Sequence, residues 1–206
     1  IETDVTVITQ NVDNLHERAG STHVIHLHGE LTKVRSTKNE NRIYELSPDH
    51  YEIKADETDR YGDQLRPHIV WFGEAVPMIE PAIEITEEAD IFVVIGTSLN
   101  VYPAAGLLRY VRPQVPIYLI DPKEVKVPVD RSVRVIQKGA SEGVAELIAL
   151  FDDNPLTNDK SHPEYSGRLL SYRLISSVFY LLLFDGIDHI DNCLLYTSPS
   201  PRDRSL

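Results

Sequence analysis

His26 and His28 are the side chains of this sequence best suited to moving a proton. They end a short apolar run, Val24-Ile25-His26-Leu27-His28-Gly29. Imidazole is the side chain whose unperturbed titration falls near neutral pH. Residues two apart on a regular strand point the same way, which opens several readings of the pair. One is a metal site, since His-x-His is a common ligand spacing. It needs a further ligand, and the chain has no His-x-x-Glu-His and no second His-x-His. Another is a general base: His28 takes a proton from a hydroxyl, and Gly29 beside it lets a ligand approach the backbone closely. The last is a histidine that is only hydrogen-bonded at a strand end. We expect that role for His26 and the base for His28.

Three further groups carry polar chemistry. Gln10, Asn11 and Asp13 follow the apolar run Val5 to Thr9. Amides and carboxylates there suit sugar hydroxyls and carboxamides, although singly they also serve turns and helix caps. Gly96-Thr97-Ser98 follows Ile91 to Ile95, a small-residue turn able to bind ribose or phosphate at a helix start, but it is not a Gly-x-Gly-x-x-Gly or P-loop signature. Asp121 ends the next apolar run, where an acid binds a ribose hydroxyl or simply turns the chain before Pro122. In Arg66-Pro-His-Ile-Val-Trp-Phe-Gly-Glu74, an edge that pairs with an extended peptide and a core built on Trp71 and Phe72 are both open.

The elements that must position these groups alternate. Strands are expected over Val5–Thr9, Val24–Leu27, Ile91–Ile95, Ile117–Ile120 and Val133–Ile136. Helices are expected over Leu15–Ala19, Pro77–Ala89, Ala104–Val111 and Glu142–Phe151, with Asp13 or Asn14 capping the first and Ser141 the last. Ile91 to Ile95 is continuous and mostly β-branched, as a central parallel strand should be. Alternation of this kind predicts a parallel sheet with polar strand ends on one edge. From Thr32 to Arg66 charge dominates, which reads as an inserted, loop-rich lobe with a hairpin near Arg42 to Leu46.

The chain has 206 residues and a formal net charge of -12. No basic patch for nucleic acid is evident, and the acidity serves solubility. Cys193 is the only cysteine, so neither an internal disulfide nor a CxxC zinc pair is available. The chain opens Ile1-Glu2-Thr3-Asp4 without a basic apolar leader, which makes a cytoplasmic location the default. Residues 155–206 stand outside the α/β pattern. The apolar run Ile175 to Phe184 is too short to span a membrane. The ending CLLYTSPSPRDRS resembles translated sequencing-adapter sequence, which we prefer to the alternative of a divergent C-terminal helix.

Taken in order, TQNVDNLHERAG, HLHG, RPHIVWFGE, GTSLNVYPAAG and KGAS resemble the sirtuins over Ile1 to about Phe151, with VWFGE and GTSLNVYPAAG similar to the bacterial CobB-like branch. The resemblance implies an α/β, Rossmann-like parallel sheet with helices on both faces (residues 1–31 and 67–154) plus the small inserted lobe (32–66). It implies an NAD-dependent protein-lysine deacylase, acting as deacetylase, desuccinylase or both. The carbonyl oxygen of an acylated lysine attacks ribose C1′ and releases nicotinamide. His28 then acts as base on a ribose hydroxyl, leading to O-acyl-ADP-ribose and free lysine. Gln10, Asn11 and Asp13 are implied at the nicotinamide ribose and carboxamide. Gly96, Thr97, Ser98, Asp121, Pro122, Lys123 and Ala140 are implied at the adenosine half. Val70, Phe72 and Gly73 are implied beside the acyl-lysine of the protein partner.

Two departures follow from the same resemblance. Most relatives hold structural zinc with four cysteines in the lobe; here Ser36 stands at the first position and residues 32–66 contain none, so a zinc-free lobe is expected. The family's first strand, its GAGIS-type loop and its cofactor loop do not precede Ile1. The chain therefore reads as an N-terminally truncated member with weakened NAD phosphate binding. The alternatives are a non-enzymatic NAD- or peptide-binding module and a mono-ADP-ribosyltransferase. A metal-dependent hydrolase using both histidines ranks behind them.

Overall fold

The computed structural model describes residues 4–47, 49, 52–97, 99, 102–127, 132–152 and 177–182. A six-stranded sheet organises the chain. Its strands are β1 (Asp4–Thr9), β2 (His23–His26), β6 (Ile91–Ile95), β7 (Ile117–Ile120), β8 (Arg134–Ile136) and β9 (Ser177–Leu182), in the order β2-β1-β9-β6-β7-β8. Every pairing is parallel, so all the carboxyl ends share one edge. This agrees with the Rossmann-like α/β class expected from the alternation and the resemblance.

Strand β6 shows why the sheet forms. Phe92 and Val94 enter one apolar cluster with Ile8, Ile25, Leu27, Leu107 and Leu119, while Ile91, Val93 and Ile95 enter another with Ile120, Ile136 and Leu147. A strand buried on both faces must be apolar at every position, and all five of its residues are buried. Helix α2 (Ile79–Glu88) contributes Ala82 to the first cluster, and a 3-10 turn, Ala104–Arg109, contributes Ala104, Ala105, Leu107 and Leu108. Helix α3 (Ala140–Asp152) covers the second with Leu147. The 3-10 turn replaces the expected α-helix. Pro81 falls in the first turn of α2, where its missing N–H costs nothing. Ser141 lies inside α3 rather than capping it, since that helix already begins at Ala140.

The short helix α1 (Leu15–Arg18) has Asn14 at its N-cap without a side-chain cap bond; Asp13 Oδ1 instead accepts the Leu15 N–H at 3.0 Å. Gly20 closes the helix at φ +100°. The inserted lobe is more regular than its charge pattern predicts. Strand β3 (Gly29–Ser36) pairs antiparallel with β4 (Ile43–Glu45) on one side and β5 (Leu65–Ile69) on the other. The stretch Arg42 to Leu46, where a hairpin is expected, holds the single strand β4, and its hairpin partner is β3 upstream.

Strand β9 has no place in the sequence pattern, yet it lies between β1 and β6. Val178 is in register with both Val5 and Ile91. Its sequence, SVFYLL, favours a strand, and it gives backbone partners to the facing edges of β1 and β6. The polar linker 155–165 and the final low-complexity residues lie outside the described residues.

Candidate active site

Three chain segments meet at His28. Its Nδ1 lies 3.3 Å from the Gln10 carbonyl oxygen. A carbonyl can only accept, so Nδ1 carries the proton in that bond and Nε2 is the nitrogen left to take another. The His28 carbonyl accepts the Val70 N–H at 2.9 Å, and the Leu27 N–H donates to Thr9 O at 2.9 Å. The end of β1, the turn after β2 and the segment after β5 are thereby tied at one residue. Strand β2 stops at His26, so the two histidines do not share a regular strand. His26 Nδ1 meets Asn11 O at 3.0 Å, and its Nε2 meets Glu17 Oε1 at 2.7 Å. The one group of prospective metal ligands among the described residues is Glu17, His26 and Glu30, without His28, so the paired-histidine reading finds no geometric support.

Gln10 and Asn11 sit immediately beyond β1, and the Asn11 N–H donates to Thr9 Oγ1 at 3.0 Å. Asp13 forms the turn into α1, the structural role that its residue type also allowed. Gly29 turns the chain from β2 into the lobe at φ +80°. A β-carbon there would lie 2.0 Å from His68 O, so only glycine lets β3 and β5 close against each other.

The second group lies farther along the same edge. Gly96 ends β6 at φ +63° and donates to Ile120 O at 2.9 Å. Thr97 is buried and its Oγ1 accepts the Leu99 N–H at 3.0 Å. Asp121 is also buried at the end of β7; its Oδ1 accepts the Lys123 N–H at 2.7 Å, which leaves the carboxylate with further acceptor capacity. Pro122 and Lys123 are exposed beside it, and Ala140 is the first residue of α3. Small residues, a buried acid and a helix start along one parallel edge form an arrangement that could hold a dinucleotide. Ser98 lies outside the described residues. In strand order β9 separates this group from Gln10, Asn11 and His28.

The peptide-edge candidates fall on a turn. Trp71 is 56% and Phe72 103% exposed, so neither is core. Val70 is half-buried, and Gly73 adopts φ +88°. Glu74 holds this turn, a role the sequence did not reveal. Its carboxylate accepts from the Trp71 N–H at 3.0 Å, from Arg66 at 2.7 and 3.2 Å and from Arg35 at 3.3 Å. The Arg66 hydrogen bond, followed by that of Trp71, holds this carboxyl below the usual glutamate range. The only sequence sign was an acid directly after the Gly73 turn; Arg35 lies thirty-nine positions away.

The lobe is fastened by Arg42. Its guanidinium reaches Asp59 Oδ2 at 2.7 Å and Ser36 Oγ at 3.0 Å, pairs with Asp63, and lies 4.7 Å from the centre of the Tyr61 ring. Ser36 Oγ, at the expected first metal position, is thus a hydroxyl engaged by Arg42. With no cysteine in residues 32–66, the donor set does not fit a four-thiolate zinc site.

A family model described as the Sir2 family matches residues 2–103. An NAD-dependent protein deacylase of Bacteroides thetaiotaomicron is 62% identical over 155 residues, which is 74% of this chain and 66% of that protein. One from Helicobacter pylori strain 26695 is 44% identical over 70% of this chain and 62% of its own length. The chain thus spans just under two thirds of these relatives. Among solved structures, a Sir2 homolog in complex with NAD aligns with a TM-score of 0.59 at 40% identity, covering 70% of this chain and 57% of that one. A Sir2 in complex with an inhibitor, 2′-O-acetyl-ADP-ribose and deacetylated p53 peptide aligns with a TM-score of 0.53 at 30% identity, covering 72% and 64%. The chain belongs to the Sir2 family, the sirtuins, and within it to the bacterial CobB-like type.

Proposed function

We propose that this chain carries the catalytic base and much of the NAD site of an NAD-dependent protein-lysine deacylase. The observation that carries the reading is the junction at His28. One side of the residue is bonded to the end of β1, and its carbonyl is bonded to the segment leading into the exposed turn at Phe72. A base at that junction faces a cofactor on one side and a peptide on the other. His28 Nε2 takes the proton from a ribose hydroxyl, and Nδ1 stays fixed on Gln10 O. Gln10, Asn11 and Asp13 bind the nicotinamide half of NAD. Gly96, Thr97, Ser98, Asp121, Pro122, Lys123 and Ala140 bind the adenosine half.

Val70, Phe72 and Gly73 flank the acylated lysine of a protein substrate, and Phe72 offers it an exposed apolar face. The names of the relatives and the NAD and peptide complexes of the structural neighbours support this assignment. Among the described residues no helix is long and apolar enough to cross a membrane. A cytoplasmic location belongs to the same proposal.

The test is NAD-dependent nicotinamide release and deacylation of acetyl- and succinyl-lysine peptides. His28→Ala should lower turnover by roughly 10²–10⁴-fold, the usual contribution of a general base. Full activity in that variant would remove His28 from its role. NAD binding without nicotinamide release would favour a binding module, and label transferred to protein would favour ADP-ribosyl transfer.

A further inference from the structure

Among the described histidines, His26 has the least ambiguous surroundings. It is 8% exposed and both ring nitrogens have partners. Nδ1 lies 3.0 Å from the Asn11 carbonyl oxygen and Nε2 lies 2.7 Å from Glu17 Oε1. The carbonyl cannot donate, so Nδ1 must. A neutral ring would then turn the bare Nε2 lone pair toward a carboxylate oxygen at hydrogen-bond distance, which is repulsive. The imidazolium form donates from both nitrogens and satisfies both partners. Asn11 belongs to the segment assigned above to the nicotinamide half of NAD, and Glu17 is on α1.

We propose that His26 is a positioning residue: its doubly donating ring ties the Asn11 carbonyl to the Glu17 carboxylate and so sets the loop carrying Gln10, Asn11 and Asp13 against α1. The link to NAD rests on the function proposed above; the clamp itself does not. The charged groups around the ring are Glu17 and His16 on α1 and Glu30 on β3. Lys33 already holds Glu30, at 2.6 Å. Burial pulls the Glu17 carboxyl upward, but the His26 hydrogen bond and neighbouring charges outweigh it and leave it below its ordinary value. The clamp therefore weakens as pH falls and Glu17 protonates.

The same three side chains also invite a metal. Two donor atoms sharing a zinc ion at about 2.0–2.2 Å each would sit roughly 3 Å apart or more, beyond the 2.7 Å between Nε2 and Oε1. Lys33 on Glu30 further disfavours a cation there.

Nitrogen-15 NMR of the His26 ring across pH is the direct test. The expected result is a ring protonated at both nitrogens in the parent chain, as the two hydrogen bonds require, and a ring that has lost that signature in Glu17→Gln, with the Val12 amide shift, which reports the Asn11 carbonyl, following it. An unchanged His26 ring signature in Glu17→Gln would overturn the clamp, as would displacement of the Nε2 proton by added Zn²⁺. Steady-state kinetics give the second readout. His26→Asn keeps a donor near the Asn11 carbonyl but cannot reach Glu17. It should raise KM for NAD roughly five- to tenfold with little change in kcat. A fall in kcat alone would refute positioning. If the parent shows no turnover, the NMR result alone decides the clamp. Glu17 is partly exposed, so its variant keeps the test open if His26→Asn does not fold.

Discussion

Gly29→Ala is the substitution that most directly tests how the proposed base, His28, is held to the turn at Phe72. Gly29 adopts φ +80°, a region that costs a residue with a β-carbon about 1–2 kcal/mol. The added carbon would stand 2.0 Å from His68 O, 2.9 Å from His68 C and 3.1 Å from Ile69 Cα. These are backbone atoms, so no side chain can swing away. Reaching an ordinary contact of 3.4 Å requires β5 to retreat by about 1.4 Å (3.4 less 2.0). Overpacking of this kind costs about 1–3 kcal/mol, for a total of about 2–5 kcal/mol. For a chain of this size that is a fall in Tm of roughly 4–20 °C. The retreat also pulls Val70 N–H from His28 O, now 2.9 Å apart. Misplacement by about 1 Å lowers rates by about 10²-fold. The assay is thermal denaturation beside kcat/KM for an acyl-lysine peptide, with NAD affinity as the control. We expect peptide turnover to fall about a hundredfold and NAD affinity to change much less. An unchanged Tm with unchanged turnover would refute the steric reasoning. An unchanged Tm with lost NAD affinity would place Gly29 on the wrong side of the site.

Two other substitutions probe what holds the site's surroundings. Glu74→Gln loosens the Trp71–Glu74 turn and should raise peptide KM by up to about fivefold, with NAD KM unmoved. Because its folded carboxyl value is depressed, chiefly by Arg66, the contribution is present above the ordinary glutamate range and is lost as pH falls through the folded value. Peptide KM of the parent should therefore climb at acid pH and that of the variant should not. Asp59→Asn should speed amide hydrogen exchange in β4 and in residues 58–65 roughly ten- to hundredfold, while β6 and β7 stay protected. In the parent the same loss should follow acidification, since Asp59 is also depressed against the pull of burial, by backbone N–H groups of Asp63 and Tyr61 and by Arg42. A chelator should change neither, and chelator-induced exchange would show a metal in the lobe.

The parts that were legible in sequence are those whose partners are local or whose burial is complete. The bounds of β6 and β7 emerged residue for residue, because a strand covered on both faces leaves a continuous apolar run. That Gln10, Asn11 and His28 lie just beyond strands was legible because strand ends concentrate polar groups. Strand β3 was hidden. Its charges, Glu30, Lys33 and Arg35, pair with Lys33, Glu30 and Glu74, so they occupy a sheet without the usual alternation. Arg35 is 5% exposed, which no composition pattern announces. Trp71 and Phe72 invited a core reading through their apolar character, but a turn held by Glu74 carries them outward. Strand β9 was hidden for another reason. Its partners, β1 and β6, lie far back along the chain, and parallel pairing leaves no turn signal between them.

The lobe shows how one structural problem admits two chemical answers. Strands β3 and β4 and the 57–65 segment form little core of their own: among the described residues, Val34 is the lobe's one buried apolar side chain. The family resemblance implies a zinc ion joining such segments. Here the joining group is a singly charged guanidinium with several donors. Arg42 gathers Ser36 from β3 with Asp59 and Asp63 from the distal loop. Tyr61 and Asp63 N–H groups and the Tyr44 hydroxyl then occupy the remaining acceptor sites of Asp59. A planar fork reaches several oxygens at once, whereas an ammonium offers only a point charge. Lysine at position 42 would not replace it. The staple matters to the site because β3 begins at Gly29. Any tilt of β3 is transmitted through the Gly29–Ile69 register to Val70 and the His28 carbonyl. A lobe without the implied thiolates thus rests on an ion network, which fails when Asp59 is protonated.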